Sequence, residues 1–127
     1  MGEDGEMVIR GIRGATTVEH DTETEVMAAV EELMAEMIAA NDIDPEMVAS
    51  VFFSATDDIS SVFPAKALRN IEGWRYVPVT CMAEIAVEGA LTSCIRVMLH
   101  VNTTKSQREI QHIYQAGAKV LRPDLAE

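Results

Sequence analysis

Two arginines stand where a cation is costly. Arg13 lies in an apolar stretch with Gly11, Gly14 and Ala15 around it, and Arg96 lies inside CIRVMLHVNT at 94–103. A charge placed among apolar side chains needs a partner, because desolvation costs several kcal/mol per ion. The ordinary partner is a carboxylate of the chain itself, and Glu84 is the acid nearest the apolar segment YVPVT at 76–80. Other features point outward. Gly11 and Ala15 would share the strand face of Arg13, leaving room for a ligand to approach. Lys66, Arg69 and Arg122 also border apolar segments and have few acids near them in sequence. Cations without obvious internal partners suit an anionic ligand, above all one with carboxylates that an arginine grips through paired hydrogen bonds.

The remaining side chains offer no nucleophile–base set. There is no Ser-His-Asp order, no G-x-S-x-G, no P-loop and no dinucleotide fingerprint. Cys81 could act as a thiolate near cations, but no histidine lies close to it in sequence. Cys81 and Cys94, thirteen positions apart, match no zinc or redox spacing and read as free thiols of a reducing compartment. His20, His100 and His112 are scattered, so no metal site is expected. Residue types alone describe an anion-binding domain with a candidate enzymatic pocket.

The elements that would position these groups follow from periodicity. Residues 7–18 read as a strand, with Ile9, Gly11, Arg13 and Ala15 on one face. Thr22 and Glu25 form a capping-box pattern. Val26, Val30, Leu33 and Met37 then hold helical spacing to about Ala40, with Glu31, Glu32 and Glu36 mostly off that stripe. Asp44-Pro45 starts a short helical turn. VASVFFSA at 48–55 is a second strand, followed by a polar loop at 56–60. A helix is expected from Pro64 to about Ile71, stopped by Gly73. Residues 76–80 form a short strand that Pro78 confines to an edge or an irregular pairing. Residues 81–93 are a linker, and 94–103 is the clearest strand. Ser106 and Glu109 make a second capping box for a helix with Ile110, Ile113 and Tyr114 as its apolar stripe and Gly117 as its end. Residues 119–121 are a last short strand. The order β-α-β-α-β-β-α-β predicts an α/β fold (α+β, one mixed sheet).

A chain of 127 residues is one domain's worth. The expected division is a disordered extension at 1–6 and a single domain at 7–127. The net charge of −11 disfavours nucleic acid and anionic lipid as partners. Between His20 and Val62 there are eleven acids and no Lys or Arg, so all ten basic residues lie outside that stretch. The acidic helix is therefore a solvated face, and the arginines belong to something else. No apolar run approaches the ~20 residues of a membrane span, and 1–6 lacks the order of a signal peptide. The expected localisation is cytoplasmic, with no membrane partner.

Specific strings go further. IRGIRGATTV at 9–18, FPAKALR at 63–69, GWRYVPVTCMAE at 73–84, CIRVMLHVNT at 94–103 and VLRPDL at 120–125 occur in this order. Together they resemble the monofunctional chorismate mutases of the pseudo-α/β-barrel class, from Met7 to Leu125. The resemblance implies a homotrimer with an active site in each cleft between neighbouring subunits. It also implies a one-step pericyclic rearrangement of chorismate to prephenate, with no covalent intermediate and no cofactors. Carried over residue by residue, Arg13 and Tyr114 hold the side-chain carboxylate and its surroundings, and Arg96 donates to the ether oxygen. Glu84 accepts from the ring hydroxyl, which Cys81 also contacts. Phe63, Ala65, Lys66, Val79, Thr80 and Leu121 form walls, some from the adjacent subunit, and Arg69 and Arg122 lie near the mouth.

Two other classes compete. A non-catalytic trimeric module binding a small dicarboxylate would use Arg13 and Lys66 equally well, but has no need of Arg96 with Glu84. A small trimeric deaminase-type enzyme acting on imines has a similar scale and an interface site, but lacks the YVPVTCMAE and CIRVM strings. A purely structural interaction protein is disfavoured by the lack of an exposed apolar stripe in the sequence.

Overall fold

The computed structural model describes residues 6–121. Its strands are β1 (Val8–Thr17), β2 (Val48–Ala55), β3 (Val79–Ala83), β4 (Cys94–Thr103) and β5 (Ile113–Tyr114), and its one long helix is α1 (Glu23–Asn41). They form one mixed sheet in the order β3-β2-β4-β1-β5. The central strand β4 runs antiparallel to both β1 and β2, while β3 and β5 join the outside as parallel edges. The expected mixed sheet is therefore present.

The alternation of β1, β2 and β4 sends one side-chain set to each face. Ile12, Val51, Phe53, Val97 and Leu99 are buried and pack with the α1 stripe Val26, Val30, Leu33, Met34 and Met37. Gly14 is the close approach in this layer, since a Cβ there would run into the Met37 thioether. Good helix formers fill α1, and Glu23 and Glu25 in its first turn face the positive end of its dipole. Thr22 caps it by accepting from the Glu25 backbone N–H. The reciprocal half of the expected box is redirected: the Glu25 carboxylate accepts instead from the backbone of Glu19 and His20, tying down the chain that enters the helix. Asp42 ends the helix in the left-handed region at φ 53°.

Several expected elements take another form. The Pro64 segment is a 3₁₀ helix, Pro64–Asn70, rather than an α-helix. Pro64 sets its first turn, and Gly73 at φ +92° turns the chain where the Pro45 ring leaves no space for a Cβ. The strand expected at 76–80 lies at Val79–Ala83, taking three residues assigned to the linker. Pro78 has no N–H to pair, and its carbonyl instead accepts from Val51 just before β3 begins. As expected for a segment with this proline, β3 is an edge.

The last helix is the largest correction. Ser106 and Glu109 do pair, the Ser106 N–H donating to the Glu109 carboxylate, but they close only the 3₁₀ turn Gln107–Glu109. The chain then extends into β5. Buried Asn41, at the end of α1, accepts from the Gln111 N–H and donates to the Gln111 carbonyl and to Met37. Those backbone groups are thus unavailable to a helix. Ile110 and Ile113 reach the core from extended backbone, and the spacing of three residues that suggested a helix is equally met by two elements meeting there. The expected final strand at 119–121 is instead part of a 3₁₀ helix, Ala116–Leu121, whose Gly117 N–H donates to the Thr17 hydroxyl.

Among the described residues the other sheet face carries no α-helix, only the 3₁₀ helix Ala116–Leu121 at one end, through the Gly117–Thr17 contact and Leu121. Ile9 and Met82 are exposed there, and Phe63, Val79, Ile85 and Val87 are exposed elsewhere on the single chain, although the sequence showed no exposed apolar stripe. No helix among the described residues is long and apolar enough to cross a membrane.

Asn41→Ala should lower the unfolding free energy by about 1–3 kcal/mol, because it strands buried backbone groups. The measurement is the urea midpoint at unchanged slope. A midpoint at the parent value would show that the clamp on Gln111 contributes nothing.

Candidate active site

The register places Arg96 in a row that crosses the whole sheet. Ser54 of β2 and Ala15 of β1 lie directly opposite it, Met82 of β3 lies beyond Ser54, and Tyr114 of β5 lies beyond Ala15. Paired residues project from the same face, so all five belong to the uncovered side. Arg13 and Met98 pair in the next row. The small side chain of Ala15 leaves a gap between larger neighbours. There a cleft of about 340 Å³ is lined by Arg13, Ala15, Ser54, Arg96, Tyr114 and Leu121 among others.

Arg96 is held from the side. Its Nε donates to Glu84 Oε2 at 2.7 Å, a short charge-assisted bond. The Glu84 side chain is 14% exposed against 42% for Arg96, so the carboxylate is the inner partner. Glu84 is fixed at its backbone as well, its N–H donating to the Ala55 carbonyl. Among the described residues, the terminal nitrogens of Arg96 and the second oxygen of Glu84 carry no protein hydrogen bond. No carboxylate among those residues pairs with the Arg13 guanidinium; the backbone N–H of Arg13 donates to His112 Nδ1. The cleft is therefore lined by the Arg13 guanidinium, without a carboxylate partner among the described residues, and by Arg96, whose Glu84 partner lies beside it.

Phe63, Ala65, Lys66, Arg69, Val79 and Cys81 line a different, wider groove of about 1160 Å³ on the helix side. The two clefts adjoin along β2 and β3, where both touch Phe53, Ser54 and Met82. Cys81 pairs with buried Phe53 and so projects away from Arg96. Lys66 Nζ contacts the Glu23 carboxylate at 2.7 Å, with both side chains about half exposed. Phe63, by contrast, is 75% exposed. Thr80 pairs with Phe52 and shares the open face, though on the edge strand. Leu121 sides with Arg96. Arg122 lies outside the described residues. One chain thus brings Arg13, Glu84, Arg96, Tyr114 and Leu121 together, and leaves the Phe63–Lys66–Cys81 group on another wall.

Sequence reasoning missed Ser54 and Glu23. The alternation of VASVFFSA already places Ser50, Phe52 and Ser54 on one face, but only the β2–β4 register sets Ser54 against Arg96. The Glu23–Lys66 contact joins residues 43 apart, which no local pattern reveals.

The loop carrying Phe63 is pinned twice. Asp21 accepts from the backbone N–H groups of Ser60 and Ser61 and from the Ser60 hydroxyl. Asp58 accepts from the Thr56 hydroxyl at 2.6 Å and from both the N–H and the hydroxyl of Ser93. These contacts, the Thr56 hydroxyl foremost, hold the Asp58 carboxyl below its usual range. Burial pushes the Cys94 thiol up to about 11, which makes it a packing group rather than a nucleophile.

The family model for chorismate mutase type I matches residues 9–125. The chain is 52% identical over 120 residues to the chorismate mutase AroH of Bacillus subtilis (strain 168), covering 94% of each. It is 44% identical over 119 residues to the chorismate mutase AroH of Thermus thermophilus, covering 93% of this chain and 97% of that one. A solved chorismate mutase from Clostridium thermocellum superposes with a TM-score of 0.85 at 45% identity, over 87% of this chain and 98% of the other.

The depressed Asp58 value makes a stability contribution that is complete above the ordinary carboxylate range and is lost as pH falls through the folded-state value. Asp58→Asn should therefore show a smaller drop in Tm between neutral and acid pH than the parent. Equal drops in the two proteins would mean that this carboxylate does not hold the loop.

Proposed function

The chain belongs to the type I chorismate mutases, and on that premise we propose how its two clefts make one active site. It is an isomerase that converts chorismate to prephenate, a step of aromatic amino-acid biosynthesis. The carrying observation is the Arg96–Glu84 pair: a guanidinium anchored through Nε whose remaining donors face a cleft that also holds the unpaired Arg13. A simple dicarboxylate binder needs Arg13 but has no use for this pair.

The reaction breaks a C–O bond and makes a C–C bond in one step, with no proton transfer and no attack by the enzyme. The protein's task is to select the folded substrate conformer and to meet the charge that builds on the ether oxygen. Arg13 and Tyr114 hold the side-chain carboxylate. Glu84 accepts from the ring hydroxyl through its free oxygen. The terminal nitrogens of Arg96 donate to the ether oxygen. Fixing a reactive conformer lowers the entropic part of the barrier, and a preorganised donor at developing charge contributes roughly 3–4 kcal/mol. No cofactor enters this scheme.

The assembly is a homotrimer in the cytoplasm, closing into a pseudo-α/β-barrel. The open face of one subunit supplies Arg13, Glu84, Arg96 and Tyr114, and the next supplies Phe63, Ala65, Lys66, Val79 and Cys81 from its helix-side groove and Thr80 from its edge strand, with Arg69 and Arg122 near the mouth. The reading is supported by the division of most of these residues between two clefts, and by the exposure of Phe63 at the wider one.

Incubated with chorismate, the parent protein should yield prephenate. Citrulline at position 96 should lower kcat by at least about 10²-fold, since the lost donor acts in the transition state. A rise in KM alone would reduce Arg96 to a carboxylate grip. Mixed Lys66→Ala and Arg96→Ala subunits should regain activity that neither variant has, by forming some intact clefts. Full activity in a monomer, measured by light scattering, would rule out the shared site.

A further inference from the structure

We propose that Ser54 is a positioning residue for the reaction, acting through Glu84 to keep the donors of Arg96 free. The inference rests on the reading that Glu84 and Arg96 meet the substrate. The Ser54 hydroxyl donates to Glu84 Oε2 at 3.1 Å, the same oxygen that Arg96 Nε approaches at 2.7 Å. Ser54 also sits directly across the β2–β4 ladder from Arg96, at the boundary of both clefts. A serine flanked by Phe53 and Ala55 adds little to strand packing, so its hydroxyl is the feature to explain.

An arginine and a carboxylate left alone favour a fork-to-fork contact, with two parallel N–H···O bonds. That arrangement would commit both oxygens of Glu84 and a terminal nitrogen of Arg96. Ser54 opposes it. With two donors converging on Oε2 and the Glu84 backbone tied to Ala55, the carboxylate stays side-on. Oε1 remains available to accept from a ligand hydroxyl, and the terminal nitrogens of Arg96 remain available to an ether oxygen. Removing the hydroxyl lets the carboxylate rotate into the bidentate grip, and the pair becomes an internal salt bridge instead of a receptor.

The test is steady-state kinetics on purified full-length variants with chorismate, with folding checked by circular dichroism and Tm. Ser54→Ala should lower kcat about five- to tenfold, the size of one hydrogen bond, with KM nearly unchanged. Ser54→Thr, which keeps the hydroxyl, should recover most of the loss. In a Glu84→Ala background, Ser54→Ala should have no further effect. If Ser54→Ala does not fold, Ser54→Cys, a near-isostere with a weak donor, is expected to show the same selective fall in kcat. A Glu84→Ala protein at the parent rate overturns the site reading and this inference with it. A slowed Glu84→Ala beside a Ser54→Ala at the parent rate overturns the inference alone, as does a full additional loss in the double variant.

Discussion

A single helix cannot cover both faces of a five-stranded sheet. The α1 stripe and the 3₁₀ segment Pro64–Asn70 bury Val26, Val30, Leu33, Met34, Met37, Ala67 and Leu68 on the side of Ile12, Phe53 and Leu99, and Gly14 allows that layer to close tightly. The opposite side keeps its alternating residues, a mixture of Ile9, Phe52 and Met98 with Arg13, Arg96 and Ser54. Other features of the molecule follow from that asymmetry. The cations are tolerable because the described residues do not seal their face, and none of the described elements fills the cleft among them.

On that face the Arg96–Glu84 contact sets the electrostatics. Glu84 is the more enclosed partner, so the pair is anchored from inside and its cationic end is left facing outward. The net charge of −11 resides elsewhere, above all on α1 and the loops that follow it. An anion approaching the cleft therefore meets a local field opposite in sign to that of the whole molecule. Such an arrangement favours a small, well-fitting anion over a long polyanion that must also cross the acidic surface.

Much of this was legible in the residues. The strand at Cys94–Thr103 and the α1 stripe follow from strict periodicity, because burial on one face imposes it. Arg13, Arg96 and Glu84 stood out as charges beside apolar segments, while Tyr114 entered only through the resemblance; the register brings Arg96, Tyr114 and Arg13 to one face and the Arg96–Glu84 contact adds the fourth. The failures share a cause. Ser106 with Glu109, and Ile110 with Ile113, satisfy helical rules locally, but Asn41 captures the Gln111 backbone from 70 residues away and makes the extended form the better one. Pro64–Asn70 begins as a helix should, yet tightens to i→i+3 bonds such as Lys66 to Phe63. Ser54 and Glu23 take their meaning from partners across the fold, and a linear pattern has no term for such pairs.

The Glu23–Lys66 contact changes what capturing a ligand at Lys66 means. With its charge already answered at 2.7 Å, this lysine is not a vacant receptor. A ligand carboxylate arriving there performs an exchange: one ion pair is given up as another forms, and Glu23 returns to water. The net gain is a difference between two similar terms, each small at such exposure. Added salt weakens both sides of that exchange together, so affinity at this wall should respond to ionic strength less than a bare count of cations suggests. On the proposed reading of this wall, Lys66 then contributes discrimination of geometry more than attraction, rewarding only an anion placed better than the carboxylate it displaces.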